Sequence, residues 1–245
     1  MKILGIIPAR YGSTRFHAKA LADINGKPMV QHVYERAKMS SSLNKLVVAT
    51  DHHDIEKAVL AFGGEVMMTS DRHPSGTDRC YEVVDRLNQT FHYIINIQGD
   101  EPFIRHEQID QCASLLDGKT ELATMISKIT DKETLFSPNV AKVIINKNRE
   151  AIYFSREALP FLRGVDKQDY LQRHDFYKHV SIYAYRADIL KAITTLPVGD
   201  LEEAEKLEQL RWIENGYKIK TGVTEYESIG IDTEEDLERA LKKFG

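Results

Sequence analysis

Ile3-Leu4-Gly5-Ile6-Ile7-Pro8-Ala9-Arg10-Tyr11-Gly12-Ser13-Thr14-Arg15 is an apolar run that gives way at once to small and cationic residues. Near-continuous apolarity over such a short span suits a strand buried on both faces, as in a parallel sheet. The same signature returns at Leu46 to Ala49, Val66 to Met68 and Tyr93 to Ile97. Amphipathic stretches lie between most of these runs. Asn25-Gly26 makes a turn, Pro28 suits a first helical position, and Met29 to Lys38 follows with helical spacing. Asp54 to Phe62 reads as a second helix, stopped by Gly63-Gly64. Thr77 to Leu87, with Val83, Val84 and Leu87 on one face, is a third, and Glu107 to Leu116 a fourth. Alternating strand and helix predicts a three-layer α/β fold with a mostly parallel sheet and right-handed crossovers.

The middle of the chain departs from this rhythm. Leu122 to Ile129, Ala141 to Ile145 and Ile152 to Ser155 read as strands with few helices between them. They predict a smaller mixed or antiparallel extension of the sheet, serving as a dimerisation flap. Leu201 to Glu214 reads as one acidic amphipathic helix and Thr233 to Lys243 as a terminal one. No internal repeat, low-complexity segment or long linker interrupts the chain. The expected organisation is a single unit over 1–245, with an inserted arm around 135–190.

Composition narrows the function classes. The 245 residues are 42% hydrophobic and 29% charged, enough to bury a core without disulfides or a structural metal. A net charge of −4 lacks the basic excess of a DNA-binding surface, so nucleic acid is not an expected partner. Cys80 and Cys112 have no C-x-x-C spacing and read as reduced thiols. The run at the N-terminus is too short for a signal peptide, and no stretch nears the roughly 20 apolar residues that span a bilayer. A cytoplasmic protein with no membrane partner is expected.

Ligands of open α/β sheets bind beyond the carboxyl ends of the strands, so the residues following each run carry the chemistry. After the first run, Arg10, Arg15 and Lys19 share a loop with Pro8, Ala9, Gly12 and Ser13. Small residues let backbone N–H groups approach an anion and the cations neutralise it, which suits a triphosphate. The bland alternative is a solvated basic loop. No G-x-G-x-x-G follows the strand, and Gly26-Lys27 is followed by Pro28, so neither a dinucleotide fingerprint nor a Walker A is present.

Asn96-Ile97-Gln98-Gly99-Asp100-Glu101-Pro102 ends the fourth run, and Asp100 is the first candidate Mg²⁺ ligand there. Asp232, in Gly230-Ile231-Asp232-Thr233, reads either as a second ligand or as the N-cap of the last helix, with Glu235 completing a capping box. His73-Pro74-Ser75-Gly76-Thr77-Asp78-Arg79 offers a hydroxyl and free N–H groups at a helix start. They suit a nucleobase or phosphate edge, or simply a well-capped helix.

Pro8 to Arg15, Asn25-Gly26-Lys27-Pro28-Met29, Ala49-Thr50-Asp51, His73 to Arg79 and Gln98 to Pro102 together resemble a known family. The likeness continues in Ser137-Pro138-Asn139 with Lys142-Val143, Tyr153-Phe154-Ser155-Arg156 and His179 to Tyr183. Leu207-Glu208-Gln209-Leu210-Arg211 and Gly230 to Thr233 complete it. In this order, across nearly the whole chain, they resemble 3-deoxy-manno-octulosonate (Kdo) cytidylyltransferase. The resemblance implies a Rossmann-like nucleotidyltransferase fold, a homodimer, and transfer of CMP from CTP to a Kdo-type sugar acid for lipopolysaccharide synthesis.

It implies that Pro8, Ala9, Arg10, Ser13, Arg15, Lys19, Ser75 and Gly76 bind nucleotide, with Arg10, Lys19, Asp100 and Asp232 catalytic. Asp100 and Asp232 would hold Mg²⁺, bridging phosphate and sugar oxygens. Gln98, Arg156, His179, Tyr183, Glu208 and Gln209 would line the sugar pocket, with Arg156 on the sugar's carboxylate. One segment departs from the family pattern: where Arg-Leu-Pro-Gly-Lys is usual, this chain has Arg15-Phe16-His17-Ala18-Lys19. Rivals are an acylneuraminate cytidylyltransferase, use of 8-amino-Kdo, and a non-catalytic nucleotide-binding regulator. A glycosyltransferase is disfavoured because no Asp-x-Asp occurs.

Overall fold

A computed structural model describes residues 1–12, 16–227 and 229–244, with residue 244 described by its backbone only. The strands run β1 (Ile3–Ala9), β2 (Asp23–Ile24), β3 (Lys27–Pro28), β4 (Lys45–Thr50), β5 (Val66–Met68) and β6 (Tyr93–Ile97). They continue with β7 (Leu122–Lys128), β8 (Lys142–Ile145), β9 (Ala151–Ser155), β10 (Tyr177–Arg186) and β11 (Ile219–Val223). The helices are α1 (Met29–Lys38), α2 (His53–Ala61), α3 (Gly76–Arg86), α4 (His106–Ser114) and α5 (Lys132–Phe136). The rest are α6 (Tyr170–Arg173), α7 (Ala187–Thr194), α8 (Asp200–Glu205), α9 (Gln209–Glu214) and α10 (Glu234–Phe244).

The main sheet has the order β11-β7-β10-β6-β1-β4-β5. All neighbouring pairs along it are parallel except those of β10, which runs antiparallel to both β6 and β7. The β8–β9 hairpin branches from the start of β10. This is the α/β sheet with an antiparallel extension that the sequence predicts.

Alternate side chains of each strand enter two separate cores. Ile3, Ile7, Val48, Ile95 and Ile97 pack with α1, α2 and α4 on one face. Leu4, Ile6, Val47, Ala49 and Ile94 pack with α3, α7 and α9 on the other. Helices therefore cover both faces, which explains why the central strands read as continuous apolar runs.

Three regions differ most from the sequence expectation, and the short α5, α6 and α7 also form where no helix is predicted. Leu201 to Glu214 is not one helix: Lys206, at φ 53° and ψ 46°, ends α8 in the left-handed region. Helices α8 and α9 fold back on each other, joined by a two-pronged Arg211–Glu202 ion pair at 2.6 and 2.7 Å. Strand β10 was not foreseen because its register shifts between Val180 and Tyr183, which breaks the strand period. Strand β11 (Ile-Lys-Thr-Gly-Val) carries a Lys and a Gly, and it forms by pairing along β7.

Candidate active site

The chain runs from β1 outward to β4 and β5, then returns to place β6 on the opposite side of β1. The carboxyl ends of β1 and β6 thus flank a topological switch point, where open α/β sheets bind their ligands. A cavity of about 320 Å³ opens there. Gly99 is required by the closeness of these two ends: a Cβ on it would stand 2.5 Å from the Pro8 carbonyl oxygen.

Pro8, Ala9, Arg10, Lys19, Ser75, Gly76, Gln98, Asp100 and Asp232 all line this cavity. Four separated segments supply them, and only the fold brings them together. Ser13 and Arg15 lie outside the described residues.

Lys19 is the centre of the polar wall. Its ammonium donates to Asp100 Oδ2 at 2.7 Å and to Asp232 Oδ1 at 3.1 Å. It is reached through Phe16-His17-Ala18, the segment that departs from the family pattern. Ala18 sits at φ 51° and ψ 31°, so an alanine holds the left-handed conformation that glycine takes without penalty. Phe16 packs against α10 and the β2–β3 region with Ile24, Met29, Phe103 and Ile231. His17 lies edge-on to Tyr11, and Tyr11 stacks on His52 with ring centroids 3.6 Å apart. These contacts fix Phe16 and His17 on the approach to Lys19.

The two readings of Asp232 can now be separated. Thr233 is the residue that caps α10: its Oγ1 accepts from the Asp236 amide at 3.1 Å. Asp236 Oδ2 in turn accepts from the amides of Asp232 and Thr233. This is a capping box one residue later than the sequence suggests. The Asp232 carboxylate is directed to Lys19 instead, and the amide of Ile231 ties the same segment to the Asp100 carbonyl at 2.9 Å.

Asp100 and Asp232 converge on one cation, and their hard oxygen donors suit Mg²⁺. Among the described residues no cluster of three or more His, Cys, Asp or Glu is placed to hold a metal. A Mg²⁺ here would complete its shell with phosphate and water oxygens, the usual arrangement at nucleotide sites.

The opposite wall is the start of α3. Ser75 caps it, its Oγ accepting from the amides of Thr77 and Asp78 and donating to Asp78 Oδ2 at 2.6 Å. Two further groups line the cavity to which the sequence assigned no role. Arg79, only 3% exposed, donates to Thr69 Oγ1 at 2.6 Å and to Asp51 Oδ2 at 2.8 Å. Asp51 Oδ1 accepts from the Tyr11 amide at 2.9 Å, so this pair fixes the start of the cationic loop. The strand-end rule that found Asp100 applies equally to Asp51, which directly follows β4. His73 contacts Glu82 Oε2 through Nε2 at 2.5 Å. Burial works against the Glu82 carboxylate, yet hydrogen bonds from the Ser70 amide, His73 and Arg86 hold it down to about 2.

Of the expected sugar residues only Gln98 lines this cavity; the others lie beyond it. Gln98 Nε2 reaches Asn96 Oδ1 at 3.5 Å, and Asn96 donates to the Tyr185 hydroxyl. Thr77 Oγ1 donates to Glu208 Oε2 at 2.9 Å, and burial raises the Glu208 carboxyl. Gln209 is buried beside it at the start of α9. His179 and Tyr183 pack ring to ring at 4.9 Å. The His179 ring meets Thr124 Oγ1 through Nε2 at 2.9 Å, and burial pushes it down to about 3. Thr124 spends its own proton on the Ile182 carbonyl at 2.7 Å, so Nε2 carries the hydrogen of a neutral imidazole. The buried Tyr183 hydroxyl has no hydrogen-bond partner among the described residues.

Arg156 is placed differently from the sequence expectation. Its guanidinium donates to three backbone carbonyls, those of Glu205 (2.7 Å), Pro138 (3.0 Å) and Lys206 (3.4 Å), and it does not line the cavity. Its own carbonyl accepts from Lys142 Nζ, which also donates to Ser137 and Val140. In this geometry Arg156 and Lys142 anchor the arm.

A switch-point cavity in which Lys19 bridges two converging carboxylates, lined also by Arg10 and by the start of α3, defines a nucleotide-activating α/β enzyme. In agreement, a family profile described as Cytidylyltransferase matches residues 4–219. A protein from Parabacteroides distasonis, "3-deoxy-manno-octulosonate cytidylyltransferase", is 56% identical, covering 98% of this chain and 97% of its own. One of the same description from Cytophaga hutchinsonii is 55% identical, covering 98% and 96%. The solved structure of CMP:2-keto-3-deoxy-manno-octonic acid synthetase complexed with CTP superposes with a TM-score of 0.92 at 39% identity. That match covers 99% of this chain and 98% of the other. The chain belongs to the 3-deoxy-manno-octulosonate cytidylyltransferase family.

Proposed function

We propose that this chain transfers CMP from CTP to the anomeric hydroxyl of 3-deoxy-manno-octulosonate, releasing pyrophosphate, and so supplies an activated sugar acid for lipopolysaccharide synthesis. The carrying observation is that Arg10, Lys19, Asp100 and Asp232 meet around one switch-point cavity in a chain this similar to a CTP-bound synthetase. The sugar hydroxyl attacks the α-phosphorus in line, forming the new O–P bond as the bond to the β-phosphate oxygen breaks. The hydroxyl proton leaves to solvent.

An anionic sugar acid must approach a highly anionic triphosphate, so catalysis comes mainly from positioning and charge neutralisation. Arg10 and Lys19 meet the negative charge that collects on the departing pyrophosphate. Ser75 and Gly76 present the start of α3 to the nucleotide. Mg²⁺, held by Asp100 and Asp232 with phosphate oxygens, would supply further neutralisation of the triphosphate.

The sugar acid lies in this reading towards Gln98, His179, Tyr183, Glu208 and Gln209. Support comes from the Tyr183 hydroxyl, a buried polar atom with no hydrogen-bond partner among the described residues, which a sugar hydroxyl would satisfy. Arg156 donates three of its five N–H groups to backbone carbonyls, which leaves two for the sugar's carboxylate. We further propose a homodimer formed through the arm. Strand β9 pairs only with β8 among the described strands, and Ile152 and Phe161 are 51% and 72% exposed. Among the described residues no helix is long and apolar enough to cross a membrane, and Cys80 and Cys112 are free and buried; we place the enzyme in the cytoplasm.

The test is pyrophosphate release from CTP with Kdo and Mg²⁺, with UTP and 8-amino-Kdo run in parallel. Release with CTP and Kdo is expected. Release only with the amino sugar would change the substrate, and none with any pair would overturn the reading.

A further inference from the structure

Lys19 approaches Asp100 and Asp232 from below. Its side chain is 14% exposed, against 32% and 45% for the two carboxylates. Two carboxylates aimed at one point repel each other unless a cation lies between them. The protein supplies that cation itself. The single ammonium also links three parts of the chain: the turn at Lys19–Leu21, the end of β6 and the segment entering α10.

We propose that Lys19 is the resident counter-ion of this carboxylate pair and yields its place to a divalent cation when nucleotide arrives. The inference rests on the reading of Asp100 and Asp232 as the metal-holding pair. An ammonium within 2.7 to 3.1 Å of both carboxylates stands where a shared cation would stand, so the two compete. Only two of the three ammonium N–H groups are used by the carboxylates. A triphosphate offers the displaced lysine a more highly charged partner, and it offers the incoming cation oxygens beyond those of the carboxylate pair. Exchange is thereby coupled: without nucleotide the lysine holds the pair, and with nucleotide the lysine moves to phosphate as the metal enters. The nucleotide-free site is kept assembled yet guarded against free divalent ions.

The probe is Mn²⁺, followed by electron paramagnetic resonance in the absence of nucleotide. It is titrated into the native sequence, Lys19→Gln and Arg10→Gln, the last removing a cation from the same cavity wall. Lys19→Gln is expected to bind Mn²⁺ at least about tenfold more tightly than the native chain. Arg10→Gln should stay within about twofold, because the general field of a more exposed charge is screened. A non-hydrolysable CTP analogue should tighten Mn²⁺ binding to the native chain and narrow its gap to Lys19→Gln.

Equal affinity in native and Lys19→Gln, or an equal gain in Arg10→Gln, would overturn the exchange. The metal reading is tested separately by Asp232→Asn in the presence of the analogue. Unchanged Mn²⁺ affinity there would sink the carboxylate pair itself, and the exchange with it. Should Lys19→Gln fail to fold, the ¹⁵N-labelled Lys19 ammonium is observed in the native chain during a Mg²⁺ titration. A resonance that moves with the same midpoint as metal binding supports the exchange, and one that stays put while metal binds refutes it.

Discussion

The Asp100 carboxylate, in the turn that follows β6, meets the Lys19 ammonium at 2.7 Å, so its charge rather than its bulk matters. Asp100→Asn is expected to lower turnover about a hundredfold, the scale of losing one transition-state electrostatic contact. Steady-state rates at saturating Mg²⁺ would check it, and near-normal turnover would remove Asp100 from the metal pair. Gly99 is the neighbour that lets β1 and β6 end side by side. Gly99→Ala has to push the Pro8 carbonyl away, and displacing reacting groups by about 1 Å costs on the order of a hundredfold in rate. The loss should appear in kcat/KM with little change in far-ultraviolet circular dichroism.

His179 makes a prediction about acid. Burial lowers it from its ordinary 6.5 to about 3, so between those values the unfolded chain binds a proton that the native chain refuses. Stability therefore falls as pH drops through that window. His179→Gln should flatten the fall, measured as urea midpoints at pH 7 and pH 4. An unaltered slope would show that the ring is protonated without strain.

At the scale of elements, Lys142 decides how the arm is attached. It is 1% exposed, and its ammonium donates to the carbonyls of Ser137, Val140 and Arg156. Lys142→Met keeps the volume but leaves these acceptors short of a donor. It is expected to destabilise by about 3 kcal/mol, since an unsatisfied buried polar group costs roughly 1–3 kcal/mol. Chemical denaturation would give the loss, and hydrogen exchange should localise it to 137–141 and 155–157. Two joints depend on left-handed backbone at residues other than glycine. Lys206 separates α8 from α9 and so brings Glu208 against Thr77, while Ala18 delivers Lys19 to its carboxylates. Neither joint is visible in a hydrophobic pattern, because backbone strain leaves no periodic trace.

For the whole molecule, the exposed apolar arm carries the expectation of a homodimer. Phe161→Glu should shift sedimentation velocity from dimer to monomer without unfolding the sheet, because Phe161 is 72% exposed in the single chain. A native chain that already sediments as a monomer would remove the dimer. The central sheet was legible because β1, β4 and β6, buried on both faces, must be apolar at nearly every position, and the helices between them need one apolar stripe. Strands β10 and β11 were not, since a bulge and a Gly-containing strand dilute the period on which such reading depends. Asp51 and Arg79 were in view as letters, yet their pairing spans 28 residues and exists only once β4 and α3 are packed.

The alternation of strand and helix, the cationic loop after the first strand and the acid just beyond β6 are legible in the order of residues alone. The ordered motifs also determined the family. These are local properties: burial on two faces dictates composition, and a ligand edge dictates which residues follow a strand. Only packing settles that Asp232 faces Lys19 while Thr233 caps α10, that Arg156 binds backbone carbonyls, and that Tyr183 keeps a buried hydroxyl with no partner among the described residues. Each of these depends on groups far apart in the chain competing for one partner, and that competition is settled only when the segments are packed.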